Sequence, residues 1–301
     1  MKTCVITNPN SGTAQAQEKL REQLQRLPGL TIAETKEPGD ARRLAAEAVR
    51  AGCNLVVAAG GDGTINEVLN GMAVDFSSAA LGILPLGTAN DFARTINIPA
   101  DVAAAVEILL AGHKQPTDVI RYTSTETRYF INVSAGGFSG QVNEALTDEM
   151  KQAWGPLAYL RSAAGVLPNL TDYRTFIACD DEPEQKVHLY NMVVANARYV
   201  AGGIPIAPEA QLNDGLADIV IVPAASMLEL AVLGPQLLLG AHLESELIHF
   251  RRASKITVRS EPGMWFNVDG ELISNAPARF EVLPRVLQVL VGPPASSPET
   301  T

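Results

Sequence analysis

The sequence has 301 residues, of which 47% are hydrophobic and 19% charged, a composition that excludes a disordered chain or a disulfide-built miniprotein. Lys and Arg total 23 against 33 Asp and Glu, so the formal net charge is -10. This sign is wrong for a groove that follows a phosphate backbone, and we expect no nucleic-acid partner. The length suggests two domains, because domains commonly run to about 100–200 residues.

The cysteines and the apolar segments predict a cytoplasmic protein. Cys4, Cys53 and Cys179 are odd in number and far apart, which favours a reducing compartment over a disulfide framework or a zinc site. The N-terminus shows no signal-peptide core. The most apolar window, 230–241, contains Pro235 and is shorter than the roughly 20 residues that a membrane-spanning helix needs. We therefore expect no transmembrane helix.

Short apolar runs alternate with longer stretches of helical period over the first 125 residues. Such alternation is typical of βαβ units on a parallel sheet. Strands are predicted at 3–7, 30–34, 54–59 and 80–86, and helices at 16–27, 38–51, from about 65 to 72, and at 102–111. We therefore predict a doubly wound α/β domain over residues 1–125, with the strand at 54–59, apolar on both faces, in a central position.

Strand-like runs separated by Gly, Pro, Asn and Asp turns dominate the sequence beyond residue 125. They lie at 129–134, 187–195, 218–222, 255–259 and 279–282, and helical segments near 141–167 and 225–239 interrupt them. This pattern indicates an antiparallel sheet or sandwich, so we predict a mainly β domain over residues 126–284. The Pro- and Ser-rich residues 293–301 are expected to form a frayed tail.

The strongest local motif is Gly60-Gly61-Asp62-Gly63-Thr64, between a buried strand and a helix. Glycines let backbone amides approach phosphate oxygens, and a helix N-terminus attracts an anion. An acidic side chain here repels a phosphate unless a cation lies between them, so Asp62 predicts Mg²⁺; the alternative is an Asp suited only to the turn. Thr64 and Glu67 fit a capping box, and helix capping is the favoured role of Glu67.

Two further loops of this kind follow predicted strands, at 8–12 and 87–91. Ligands of open parallel sheets bind outside the carboxyl ends of the strands, so three such loops imply one nucleotide crevice. The chain contains neither a G-x-x-x-x-G-K-[ST] loop nor a G-x-G-x-x-G motif in a Rossmann context. The common nucleotide-binding motifs therefore do not explain the crevice.

Five segments together resemble the diacylglycerol kinase catalytic family, in particular its bacterial diacylglycerol-kinase-like lipid kinases. They are NPNSG at 8–12, GGDGTINEVLNG at 60–71, LGTANDF at 86–92, LNDG at 212–215 and FNVDGE at 266–271. The GGDGT turn alone is also found in NAD kinases and phosphofructokinases, whereas the five segments occur together in this order and the resemblance covers nearly the whole chain. The resemblance implies an α/β plus mainly β fold, with an N-terminal Rossmann-like nucleotide-binding domain, a C-terminal β-sandwich domain and the active site in the cleft between them. It also implies that a strand near 285–292 returns to the first domain.

The resemblance assigns roles to individual residues. ATP and Mg²⁺ are the implied cofactors, and Glu271 matches the general base that takes the proton of the acceptor hydroxyl. Asp62 and Asp269 would help to hold the catalytic metal, although Asp269-Gly270 is also an ordinary hairpin-turn sequence. The implied ATP contacts are Asn8, Pro9, Asn10, Ser11, Gly12, Thr35, Gly60, Gly61, Asp62, Gly63, Thr64, Ile65, Asn66 and Thr88.

A second metal site is implied at Asp214, in a sequence that would otherwise indicate only a turn. In the family, this turn holds a structural Mg²⁺ through an Asp side chain and neighbouring carbonyls, here Asp214 with Gln211 and Leu216. Several relatives have a basic residue where Gln211 stands. A regulatory role of this site therefore stays open.

The leading hypothesis is a kinase that transfers the γ-phosphate of ATP to the hydroxyl of a lipid such as diacylglycerol. A soluble-substrate kinase of the NAD kinase kind and a non-catalytic lipid or nucleotide sensor remain as alternatives. The expected partners are a lipid with a free hydroxyl, transiently a membrane surface at the inner face, and a second copy of the chain in a homodimer by analogy. The Leu-rich segment 227–243 is interpreted as a core helix, with a lipid-facing helix as the alternative. Specificity depends on cleft shape, so the acceptor lipid stays open.

Overall fold

A computed structural model describes residues 2–8, 14–138 and 170–294, and the structural statements below concern these residues. The chain divides into two compact units. Unit 1 comprises Met1–Thr117 and Val286–Thr301, and unit 2 comprises Asp118–Arg285. The helical segment predicted near 141–167, the residues 9–12 of the first loop and most of the predicted tail lie outside the described residues.

Unit 1 contains a parallel sheet. Its strands are β1 (Thr3–Thr7), β2 (Leu30–Glu34), β3 (Leu55–Gly60) and β4 (Ala80–Pro85). β1 pairs with both β2 and β3, and β3 pairs with β4, all in parallel. Every residue of β1, β3 and β4 is buried, which explains why these strands are continuous apolar runs.

Five helices connect or follow these strands. They are α1 (Ala14–Leu24), α2 (Asp40–Arg50), α3 (Asp62–Met72), α4 (Asp91–Thr95) and α5 (Val102–Ala111). α3 begins at Asp62, three residues before the predicted start near Ile65, because Asp62 and Gly63 already have helical geometry. The α/β prediction for this part of the chain is confirmed.

Unit 2 is built mainly from antiparallel strands. They are β5 (Lys114–Thr123), which begins in unit 1, β6 (Thr127–Phe130), β7 (Val133–Gly137), β8 (Tyr173–Cys179), β9 (Gln185–Ala195), β10 (Tyr199–Val200), β11 (Ile204–Pro205), β12 (Ala217–Pro223), β13 (His249–Ala253), β14 (Lys255–Glu261), β15 (Phe266–Val268) and β16 (Glu271–Ser274). β9 pairs antiparallel with β7, β8 and β12. The rings of Tyr122, Phe130, Phe266 and Phe280 pack in the core, with centroids 5.3–6.2 Å apart. The prediction of a β-rich second half is confirmed.

The last strand, β17 (Ala278–Leu290), contributes residues to both units. Its first residues pair antiparallel with β14, and Gln288 and Val289 pair in parallel with Ala80 and Leu81 of β4. The chain therefore returns to the parallel sheet of unit 1 after unit 2 is complete.

One further helix, α6 (Met227–Leu239), follows β12, and a 3₁₀ turn at His242–Glu244 comes after it. Ser226 and Glu229 form a capping box at the N-terminus of α6, and Gly240 ends the helix with φ 71°. No helix in the described ranges combines the length and the hydrophobicity needed to cross a bilayer.

Candidate nucleotide and metal sites

The two glycine-containing loops of unit 1 pack directly against each other. The amide of Leu86 donates to the carbonyl of Gly60 at 3.0 Å. A Cβ on Gly87 would lie 2.4 Å from the Cα of Gly61, and a Cβ on Gly61 would lie 3.2 Å from the Cα of Gly87. Only glycine at position 87 permits this approach of backbone to backbone. The motifs at 60–64 and 87–91 therefore form one structure at the carboxyl edge of β3 and β4.

Asp62 links these two loops through its side chain. Its carboxylate oxygens accept the amides of Phe92 at 3.2 Å and of Asp91 at 3.3 Å, at the start of α4. Asn90 fixes the same loop from within, because its side chain accepts from the amide of Gly87 at 3.1 Å and donates to the Gly87 carbonyl at 2.6 Å. Each Asp62 oxygen retains a second lone pair, and carboxylate oxygens suit Mg²⁺. The Asp62 carboxylate therefore holds the two loops together and is also suited to bind a metal ion.

The N-terminus of α3 has the features of a phosphate-binding turn. Its N-cap, Gly61, provides no side-chain hydrogen bond, so the first amides of the helix are not capped by that residue. Gly63 is exposed, and the position of a Cβ there has no atom within 4 Å. An anion placed in this open space meets backbone amides and the positive end of the helix dipole. The residues therefore fit a phosphate group.

The expected capping box of Thr64 and Glu67 is wrong. Because α3 begins at Asp62, Thr64 lies inside the first turn and cannot serve as the N-cap. The Glu67 carboxylate instead accepts the amide of Ala41, at 3.1 Å, in the first turn of α2. Gly71 allows α2 and α3 to pack closely, since a Cβ at this position would lie 2.1 Å from the carbonyl oxygen of Arg42.

The remaining predicted ATP contacts in the described residues lie near the same sheet edge or within α3. Asn8 follows β1, and the amide of Thr35, just after β2, donates to the Thr7 carbonyl at 2.9 Å. Thr88 is exposed in the loop after β4. Ile65 and Asn66 are only 2% and 6% exposed, so their side chains face the interior of unit 1. Pro9, Asn10, Ser11 and Gly12 lie outside the described residues.

The predicted base and its neighbouring carboxylate lie on the β15–β16 hairpin of unit 2. Asp269 and Gly270 have φ values of 45° and 101°, as a two-residue hairpin turn with positive φ at both positions requires. The Asp269 carboxylate accepts the amide of Val133 at 2.9 Å, and its own amide donates to the Val133 carbonyl at 3.1 Å. Glu271 follows the turn, pairs with Val268 and is exposed. The hairpin thus presents an exposed carboxylate from an anchored turn.

The predicted turn at Asp214 is held by a carboxylate that the sequence did not identify. Asp118 is fully buried and accepts the amides of Gly215 and Arg285, each at 2.7 Å. Burial raises the pKa of the Asp118 carboxyl, while these two hydrogen bonds oppose the change. Leu216 donates its amide to Asp214 at 3.0 Å, and Arg285 donates to the carbonyl of Asn213 at 2.9 Å.

The donor types at this turn fit a hard cation. Asp214 and Gln211 are exposed, and a carboxylate with carbonyl oxygens and water is a suitable donor set for Mg²⁺. Within the described ranges, no cluster of three or more His, Cys, Asp or Glu side chains could hold a metal ion. A metal at Asp214 would therefore depend mainly on backbone carbonyls and water.

Comparison with known proteins identifies the class of this enzyme. Residues 2–122 match the family described as diacylglycerol kinase catalytic domain, and residues 132–291 match the YegS C-terminal NAD kinase beta sandwich-like domain. A diacylglycerol kinase of Staphylococcus saprophyticus is 33% identical over 95% of this chain and 93% of its own length. A diacylglycerol kinase of Bacillus subtilis is 32% identical over 95% of both chains. The fold and the kinase catalytic domain define an enzyme of the kinase class.

Solved structures agree with this assignment. A diacylglycerol kinase structure from Bacillus anthracis superposes with a TM-score of 0.76 at 25% identity and covers 97% of both chains. An NAD kinase from Archaeoglobus fulgidus, solved in complex with ATP, shares the fold with a TM-score of 0.52 at 13% identity, covering 96% of this chain and 93% of its own. The chain belongs to the diacylglycerol kinase catalytic family, as its five motifs predicted.

Proposed function

We propose that this protein is a lipid kinase that transfers the γ-phosphate of ATP to the free hydroxyl of a lipid such as diacylglycerol. The observation that carries the proposal is the packed pair of loops at Gly61 and Gly87, which leaves the N-terminus of α3 open to a phosphate. The names of relatives about one-third identical over 95% of the chain support a lipid acceptor. We expect the reaction at a membrane surface, approached from the cytoplasm.

In this proposal, the residues of unit 1 bind the nucleotide. The amides at the start of α3 hold phosphate oxygens, and Asn8, Thr35 and Thr88 surround the nucleotide at the carboxyl edge of the sheet. Asp62 would hold Mg²⁺, and the ion would neutralise phosphate charge during the transfer. The Asp62 bonds to the amides at 91 and 92 keep its carboxylate oriented while it does so.

Glu271 is the proposed general base. One carboxylate oxygen of Glu271 takes the proton of the acceptor hydroxyl as the hydroxyl oxygen attacks the γ-phosphorus, and the bond from the γ-phosphorus to ADP breaks to release ADP. A base of this kind contributes about 10²–10⁴-fold to a rate. Its place directly after an anchored turn gives the base a defined position on the hairpin. Asp214 with the carbonyls of Gln211 and Leu216 would hold a structural Mg²⁺.

The surroundings of Glu271 favour a lipid over NAD. Leu272, next to Glu271 in β16, and Trp265, the residue before β15, are 39% and 47% exposed, so this part of unit 2 presents apolar surface as well as the carboxylate. A highly charged dinucleotide gains nothing from such neighbours, whereas an acyl chain or a bilayer interface does. A soluble-substrate kinase of the NAD kinase kind is therefore the second candidate, supported by the shared fold alone.

The test incubates wild-type protein with labelled ATP and Mg²⁺, with either a fractionated total lipid extract or NAD as acceptor. We expect a labelled lipid in the organic phase and none in the NAD sample. Label transferred only to NAD would replace the proposal with the second candidate. ATP binding measured by calorimetry, without a labelled product from any lipid class, would instead indicate a non-catalytic sensor.

A further inference from the structure

The helix α6 has two apolar faces, and only one of them is used by the core. Leu233 is 8% exposed and packs with buried residues such as Val193, Val220 and Ile248. On other positions of the same helix, Leu228 is 78% exposed, Val232 53% and Leu239 82%. The core-helix interpretation of this segment therefore explains Leu233 and leaves the exposed side chains unexplained.

These exposed residues form a stripe along a fixed helix. The spacing of 228, 232, 235 and 239 follows the helical repeat, so Leu228, Val232, Pro235 and Leu239 lie along one side. The capping box at Ser226 and the Gly240 cap hold both ends of α6. We call Leu228, Val232, Pro235 and Leu239 the α6 stripe.

The charge of the helix suits neither a charged partner nor an anionic surface. Glu229 is the only ionisable residue among the 13 residues of α6, and its carboxylate accepts the amide of Ser226 at 2.7 Å. No Lys or Arg lies on the helix, so attraction to anionic headgroups would have no source there. Insertion into a lipid surface would therefore be hydrophobic and largely independent of salt.

The size of the stripe argues against a second copy of the chain as its partner. A helix of 13 residues is about 20 Å long, and a stripe about 10 Å wide along it covers roughly 200 Å². A stable dimer interface buries about 800 Å² on each partner. A lipid surface has no such minimum, because each side chain that enters it gains by its own burial.

We propose that the α6 stripe inserts into the interface of the bilayer that carries the acceptor lipid. This inference rests on the proposed lipid-kinase function, because a diacylglycerol-like acceptor resides in a membrane and the enzyme must reach it there. Leu228 and Leu239, at opposite ends of the stripe, are the principal contacts.

The test compares the double variant Leu228→Gln/Leu239→Gln with wild type in sedimentation with neutral phosphatidylcholine vesicles, without ATP. Gln has a helix propensity close to that of Leu, and both side chains are exposed, so the fold should be retained. The matched control is Val74→Gln/Leu110→Gln, which replaces two exposed apolar residues of unit 1. We expect the α6 variant to lose vesicle affinity on the order of 100-fold and the control to bind as wild type does.

A kinase assay separates this inference from the proposed function. We expect the α6 variant to lose activity on long-chain diacylglycerol in vesicles and to keep wild-type activity on a dispersed short-chain diacylglycerol. Equal vesicle binding by wild type and the α6 variant would overturn the inference, as would concentration-dependent dimerisation in light scattering that the variant abolishes. Stripe-dependent vesicle binding without any phosphorylated lipid would instead support the surface and contradict the kinase proposal.

Discussion

Gly87→Ala tests whether the packing of the two loops in unit 1 is needed for phosphoryl transfer. The added Cβ would lie 2.4 Å from the Cα of Gly61 and 2.9 Å from the side-chain oxygen of Asn90. Ordinary carbon contacts begin near 3.5 Å, so the loops must separate by about 1 Å. A misplacement of that size can cost about 10²-fold in rate, or about 2.7 kcal/mol of transition-state stabilisation.

The assay measures kcat/KM for ATP in wild type, Gly87→Ala and Gly234→Ala. Gly234 lies in α6, and a Cβ there has no atom within 4 Å, so this control adds the same methyl group without a clash. We expect a loss of about 10²-fold for Gly87→Ala and none for Gly234→Ala, with both proteins folded by circular dichroism. Wild-type kcat/KM for Gly87→Ala would refute the argument that the close approach of the loops matters.

Three further predictions concern the free energy of unfolding and involve one residue of unit 1 and two residues of unit 2. Glu67→Ala leaves the amide of Ala41 without its acceptor, and we expect urea denaturation to show a loss of about 1–3 kcal/mol, whereas Thr64→Ser should change little. Burial lowers the pKa of His242 from its usual 6.5, so protonation favours the unfolded state. The free energy of unfolding should therefore fall as the pH drops below about 6.5, and the difference between its values at pH 7.5 and 5.5 should be smaller for His242→Gln than for wild type. An equal difference in the two proteins would contradict this prediction. Asp118→Asn removes one of the two oxygens that accept the amides of Gly215 and Arg285, and we expect denaturation to show a loss of about 1–3 kcal/mol in stability. Unchanged stability would contradict the conclusion that Asp118 holds the turn at Asp214.

Hydrophobic periodicity predicted the strands of unit 1 well because burial on both faces leaves continuous apolar runs. β1 occupies the predicted residues 3–7, and β3 differs from its predicted range by one residue at each end. The start of α3 was missed because Asp62 and Gly63 have weak helix propensity, whereas the hydrogen bonds from the amides of Asp91 and Phe92 fix the Asp62 side chain at the start of the helix.

The partners of individual side chains could not be predicted, since they depend on packing between segments distant in sequence. Glu67 contacts an amide 26 positions away, and Asp118 contacts one 167 positions away. The T-x-x-E pattern considers only residues that are close in sequence, so it predicted that Glu67 caps its own helix. Gly71 carried a usable signal, because a glycine inside a helix often marks close packing against another element.

The most direct measurement of the central claim is single-turnover transfer of labelled phosphate from ATP to diacylglycerol by wild type, Glu271→Gln and Glu246→Gln. Glu246 is also an exposed glutamate of unit 2, which makes it a matched control. ATP affinity is measured in the same samples by calorimetry. A fall in transfer of about 10²–10⁴-fold for Glu271→Gln alone, at unchanged ATP affinity, is the predicted result. Equal transfer by all three proteins would contradict the assignment of Glu271 as the base of a lipid kinase.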